Sequence, residues 1–88
     1  MSAEPWSVEF ERRAAKDLER LDPPLCQRVF AALERLAGDP QSAGLRKLAG
    51  RPQSRLRVGD WRVIVELDLA RRTIVVVRVL PRGRAYDR

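Results

Sequence analysis

The sequence contains no histidine and a single cysteine, Cys26. Without histidine neither a Ser-His-Asp nor a Cys-His catalytic set can form, and no His/Cys metal cluster is possible, so we expect no metal and no cofactor. One cysteine excludes an internal disulfide, and its place in a helical pattern predicts a buried thiol. No apolar run approaches the ~18–20 residues of a membrane span. The segment from Met1 to Trp6 lacks the features of a signal peptide, which favours a cytoplasmic protein that does not contact a membrane.

The charge is unevenly distributed along the 88 residues, a length that fits one domain, residues 1–88. Residues 1–44 carry six basic and eight acidic side chains, a net charge of −2, whereas residues 45–88 carry twelve basic and four acidic ones, a net charge of +8. Eleven of those twelve basic residues are arginines; the other is Lys47. Arginine makes paired contacts with phosphate and stacks on bases, so this half of the chain favours a nucleic-acid partner over mere solubility.

The first half reads as a short strand followed by two helices. Residues 6–10 alternate apolar and polar side chains, which predicts a strand. A helical apolar stripe follows, made of Phe10, Ala14, Leu18 and Leu21. The opposite, polar side of that helix is predicted to carry Glu11, Arg12, Arg13, Lys16 and Asp17. A second helix is predicted to begin with Asp22 as N-cap and Pro23 in its first turn, and to stop at Gly38.

The second half reads as β structure after a long loop over residues 39–54. Alternating segments at 54–58 and 61–68 flank Gly59-Asp60, a two-residue hairpin signal, and a turn at 69–72 precedes a β-branched run at 73–80. That last run predicts a central strand covered on both faces. The fold class is therefore α/β of the α+β kind. Two N-terminal antiparallel helices pack on a four-stranded, mainly antiparallel sheet, in the order β-α-α-β-β-β.

The predicted hairpin places arginines on one face of the sheet. With Gly59-Asp60 as its loop, Arg57 lies opposite Arg62, and Arg55 shares their face, while apolar residues such as Leu56 and Val63 share the other. Like charges opposite each other are destabilising unless an anion lies between them. A solvated face whose side chains splay apart, or pair with Glu66, is the alternative. Whether Arg78 joins this face depends on a register that the length of the second turn leaves open.

Three runs of the sequence resemble the RelE/ParE toxin superfamily: LRKLAG at 45–50, RLRVGDWRVIVELD at 55–68 and IVVVRVLPRGRAY at 74–86. The central hairpin is the most specific of them, and the helical first half extends the resemblance over nearly the whole chain. The resemblance implies a RelE-like fold and the toxin of a type II toxin–antitoxin pair, with a cognate antitoxin as partner. RelE members enter the ribosomal A site and cut mRNA by activating a ribose 2′-hydroxyl against the adjacent phosphate. ParE members share the fold, poison DNA gyrase and are not nucleases.

The resemblance also assigns residues. Arg62, Arg82 and Tyr86 match the family's catalytic positions, the arginines stabilising the pentavalent phosphate and the tyrosine stacking on a base or assisting proton transfer. The expected substrate-binding residues are Arg46, Lys47, Arg55, Arg57 and Arg84.

Two departures from the RelE pattern concern proton transfer. Gln53 and Arg55 stand where RelE itself has two lysines thought to move protons, and Pro81 stands where many members have histidine. Arginine is a poor general base, because its guanidinium stays protonated in proteins. Despite these departures, the resemblance predicts a ribosome-dependent mRNA endoribonuclease with mRNA on the ribosome as substrate. A non-enzymatic gyrase poison of the ParE type is the alternative.

Overall fold

The computed structural model describes residues 4–40, 45–47 and 53–81. Its helices and strands, in chain order, are β1 Ser7–Phe10, α1 Arg12–Glu19, α2 Pro23–Gly38, β2 Arg46–Lys47, β3 Ser54–Val58, β4 Trp61–Asp68 and β5 Thr73–Pro81. The strands form one mixed sheet in the order β1-β5-β4-β3-β2. β1 pairs with β5 in parallel, and all the other pairs are antiparallel. The predicted α+β fold and its four main strands are confirmed.

The loop predicted over residues 39–54 is the main error in the secondary structure. Within it, Arg46 and Lys47 form the short strand β2, whose backbone pairs with Arg55 and Ser54 of β3. The propensity of two residues is too weak a signal to predict a strand, and the exposed edge of β3 supplies the pairing.

Both predicted helices form, and their termini fit the sequence signals. α2 begins at Pro23 and ends at Gly38. Proline suits the first turn of a helix, because a backbone N–H at that position would have no partner within the helix. Asp22 occupies the N-cap position as predicted, but its side chain makes no capping hydrogen bond. Cys26 is half-buried rather than buried, and its thiol donates to the carbonyl of Leu18 at 3.3 Å. No helix in the described ranges is long and apolar enough to cross a membrane.

The helices and one face of the sheet enclose the core. Its fully buried members are mainly β-branched and aliphatic, and the largest are Val29, Leu33, Leu36, Val63, Val65, Ile74, Val76 and Val79. β5 is central, as predicted, because β1 and β4 flank it. Its residues Val75 and Leu80 are only half-buried, so the prediction of a strand covered on both faces was wrong for the face away from the helices.

Helix α1 covers the edge that β5 exposes once β1 ends. β1 pairs with β5 only as far as Val76, so the N–H of Val79 has no strand partner on that side. The carboxylate of Asp17 accepts this N–H at 2.8 Å. Asp17 is therefore 9% exposed, and its predicted place on the polar side of the helix was wrong. Buried backbone donors need acceptors, and here a side chain replaces the missing strand.

Candidate nucleic-acid interface

The β3–β4 hairpin has the predicted register and assembles the arginine face, defined here as Arg55, Arg57 and Arg62. Arg57 pairs with Arg62 and Arg55 with Ile64, so the three arginines lie on one side of the sheet. Gly59 opens the two-residue turn with a φ of 57°, a conformation that glycine adopts without strain. Arg57 is exposed and Arg55 half-buried. The structure thus brings together three of the predicted site residues.

Arg62 is the unusual member, because it is only 5% exposed. Its Nη1 donates to the carbonyl oxygens of Gly59, at 3.2 Å, and Trp61, at 3.0 Å. No carboxylate within residues 4–40, 45–47 and 53–81 forms an ion pair with it. Burying a cation costs several kcal/mol unless a counter-charge compensates it. This position therefore favours the binding of an anion beside the guanidinium.

The carbonyl groups that hold Arg62 were not among the predicted site residues. A two-residue loop brings the carbonyl of Gly59 back toward the side chain three positions later, and a long arginine can reach it. The hairpin signal in the sequence implied the turn, but only the packed side chain reveals that the turn orients the guanidinium.

A second polar contact lies on the same side of β4 as Arg62. Nε2 of Gln53 donates to Oε2 of Glu66 at 2.9 Å. Glu66 is four residues from Arg62, or about 13 Å along the strand. Glu66 is thus paired with Gln53 at the far end of the arginine face, and the alternative of an arginine–Glu66 ion pair fails for Arg57 and Arg62.

Arg78 does not join the arginine face. By register it lies opposite Ile64 and so begins on the same side of the sheet as Arg55 and Arg62, and the bulge between Ile64 and Val65 leaves only Val77 without a partner on β4. The Arg78 guanidinium instead pairs with Asp17 of α1, with Nε–Oδ2 at 2.8 Å and Nη2–Oδ1 at 3.2 Å. A bidentate pair of this kind joins the helix to the strand and leaves Arg78 without a free charge to offer.

The Asp17–Arg78 pair shifts the ionisation of both groups. Burial by itself would raise the pKa of Asp17, but the hydrogen bonds from Arg78 and the Val79 N–H, with the nearby charges of Arg78 and Arg20, outweigh it. The pKa of Asp17 is therefore lowered. The hydrogen bond to Asp17 raises the pKa of Arg78. Both groups are charged at neutral pH, which strengthens the link between α1 and β5.

Five of the predicted site residues have side chains outside the described part of the structure. Arg82, Arg84 and Tyr86 lie outside the described residues. For Arg46 and Lys47 only the backbone of β2 is described, which puts Arg46 opposite Arg55. Within the described ranges, no group of three or more acidic, cysteine or histidine residues could hold a metal ion.

The architecture is that of RelE/ParE toxins. The chain is 26% identical to a chain of the Mycobacterium tuberculosis RelBE2 toxin–antitoxin complex, over 90% of this chain and 93% of that one, with a TM-score of 0.80. It is 25% identical to a chain of the archaeal RelE–RelB complex from Pyrococcus horikoshii, over 92% and 99%, with a TM-score of 0.78. The ParDE system of Pseudomonas aeruginosa is similar in fold, at 14% identity over 92% and 100% and a TM-score of 0.71.

A family model decides the assignment. Residues 8–86 match the model described as the ParE toxin of the type II toxin–antitoxin system. The chain belongs to this family, within the RelE/ParE superfamily, and is a type II toxin. No curated protein sequence matches it significantly.

Proposed function

We propose that this toxin is a ribosome-dependent mRNA endoribonuclease acting in the cytoplasm as a single domain. The observation that carries the proposal is Arg62, a guanidinium 5% exposed, held by two carbonyl groups and without a carboxylate partner among the described residues. A cation fixed in this way is preorganised for negative charge that develops in a transition state. Arg57 beside it supplies further charge for the RNA backbone.

The reaction is a transesterification within the RNA. The 2′-oxygen forms a bond to the adjacent phosphorus, its proton leaves, and the bond from phosphorus to the 5′-oxygen of the next nucleotide breaks as that oxygen gains a proton. Arg62 and Arg82 stabilise the pentavalent phosphate, and Tyr86 stacks on a base or assists a proton transfer. Arg46, Lys47, Arg55, Arg57 and Arg84 bind the substrate.

The site lacks a strong general base for the proton transfers, which favours a reaction that depends on the ribosome. The chain has no histidine, and Gln53 replaces a lysine of RelE and holds Glu66 by its amide. A site without a strong base depends on orientation, and fixing a nucleophile in line with its target can supply several kcal/mol of the barrier. The ribosomal A site would provide that orientation, so cleavage of naked RNA is not expected.

Single-turnover cleavage of mRNA on programmed ribosomes at saturating toxin tests the proposal. Arg62→Ala should lower the cleavage rate on the order of 10²-fold, by analogy with the loss of one oxyanion donor. Arg57→Ala is the matched control, because it removes a guanidinium from the residue that pairs with Arg62 on the neighbouring strand. Arg57 is exposed, so its loss should mainly weaken RNA binding. Equal rates for Arg62→Ala and the wild type under saturation would remove Arg62 from the active site.

A gyrase poison is the second candidate. It is favoured by the ParE description of the matching family and by the absence here of RelE's two lysines and of the histidine that many family members have. A DNA gyrase supercoiling assay beside the translation assay separates the two. Inhibition of supercoiling without any mRNA cleavage would establish the alternative.

The proposed partner is a cognate antitoxin. Similar chains occur in complexes with RelB antitoxins, and the +8 charge of residues 45–88 would bind RNA unspecifically if it were left uncovered. We expect an acidic antitoxin segment over the arginine face and apolar contacts to the helices and sheet. Co-expression with the neighbouring small gene should restore growth, and a protein harmless when expressed alone would contradict its role as a toxin.

A further inference from the structure

The β3–β4 turn is approached by a second arginine, from the helical layer. A Cβ added to Gly59 would lie 2.8 Å from Nη2 and 3.4 Å from Nη1 of Arg28, which belongs to α2. On its other side, the carbonyl of Gly59 accepts a hydrogen bond from Nη1 of Arg62. Two guanidinium groups, one from α2 and one from β4, therefore meet at the same glycine.

Arg28 has no acidic partner within the described part of the chain. The positions three and four residues away on its own helix, where an ion pair would form, hold Pro24, Leu25, Ala31 and Ala32. Asp60 lies in the turn itself, yet it forms no ion pair with Arg28 or Arg62. Two cations converge on one turn without a carboxylate between them, and the buried one, Arg62, is only 5% exposed.

We propose that Arg28 forms a second phosphate-binding site at Gly59, on the other side of the turn from Arg62, and that it holds a phosphate adjacent to the scissile one. The planar guanidinium binds phosphate oxygens in pairs, and a glycine at this point leaves room for Arg28 to lie against the turn. The RNA path thus continues from the arginine face around the hairpin onto α2. This inference rests on the proposed function, because it assigns the neighbour of a phosphate that the toxin cleaves.

Binding of a short single-stranded RNA oligonucleotide, measured over a range of salt concentrations, tests the site. Arg28→Gln should weaken binding about tenfold at low salt, the loss expected for one charge-assisted hydrogen bond. It should also reduce the log–log salt slope by about 0.7, the value for one phosphate contact. Arg35→Gln is the matched control. It removes the same exposed charge from the same helix, seven residues or about 10 Å further along the axis, and should keep the wild-type slope.

Arg28→Lys separates phosphate binding from packing of the turn. Lysine keeps the charge but not the planar group, so it should retain the wild-type slope while Arg28→Gln loses part of it. If Arg28→Gln binds RNA with the wild-type affinity and slope, the inference is overturned and the proposed function is untouched. If Arg28→Lys loses the slope as fully as Arg28→Gln and both melt at a lower temperature, Arg28 only packs the turn, and the inference is again overturned. A wild-type slope near zero would instead remove the proposed function.

Discussion

Replacing Asp17 by alanine should destabilise the protein more than the removal of any exposed charge. Oδ2 of Asp17 accepts hydrogen bonds from Nε of Arg78 and from the N–H of Val79, both at 2.8 Å. The Asp17 side chain is 10% exposed and that of Arg78 28%. Breaking a buried ion pair costs about 3–5 kcal/mol, and Arg78 can recover part of this by turning toward water, so we expect about 3 kcal/mol. For a chain of this size each kcal/mol lowers the melting temperature by about 4–8 °C.

Asp17→Asn divides that loss into its parts. Asparagine keeps an oxygen for the Val79 N–H but loses the charge, so about 1–2 kcal/mol should be lost. A double-mutant cycle with Arg78→Gln then measures the coupling. The Arg71–Glu9 pair is the control. Its side chains are 61% and 51% exposed, and such pairs couple by less than about 1 kcal/mol. Additive effects of Asp17→Asn and Arg78→Gln in thermal melting would refute the reasoning.

The same pair sets a pH dependence. The pKa of Asp17 is lower in the folded chain than in the unfolded one, so the unfolded chain takes up the proton first as pH falls. The stabilisation that the Asp17 carboxylate gives the folded chain is therefore complete above about pH 4 and is lost as the pH falls through the pKa of Asp17 in the folded chain. Melting temperatures measured from pH 7 downward should fall more steeply for the wild type than for Asp17→Asn. Parallel curves would assign the acid sensitivity to other carboxylates.

Two further perturbations test the packing and the turn. Leu36→Ala, at a side chain with no exposed surface, should cost about 2–5 kcal/mol in chemical denaturation, whereas Leu69→Ala, at a residue 75% exposed, should cost almost nothing. Gly59→Ala should cost about 1–2 kcal/mol, because its φ of 57° strains a residue with a Cβ. Gly38→Ala, with nothing within 4 Å of the added atom, should be neutral or slightly stabilising; equal melting temperatures for the two glycine variants would contradict the strain argument.

The sequence alone predicted the elements whose signals are local. The two helices, the strands from residue 54 onward and the pairing of Arg57 with Arg62 all follow from periodicity and from one two-residue turn. Side chains alternate along a strand and recur at helical spacing, so neighbours in the sequence report which face they share. For this reason the residues themselves predicted the arginine face, and the same hairpin carries the resemblance to RelE/ParE toxins.

Only the tertiary structure decided which charges remain available on the surface. Asp17 and Arg78 are 61 positions apart, and their pairing depends on where β1 stops and how α1 then lies along β5. That contact turned a predicted surface carboxylate into a buried one and withdrew Arg78 from the arginine face. The burial of Arg62 and the approach of Arg28 to Gly59 likewise depend on how helix and hairpin pack together. Periodicity predicts the direction in which a side chain points from its own helix or strand. The residue that it then contacts depends on distances between helices and strands that are far apart in the sequence and meet only when the chain folds.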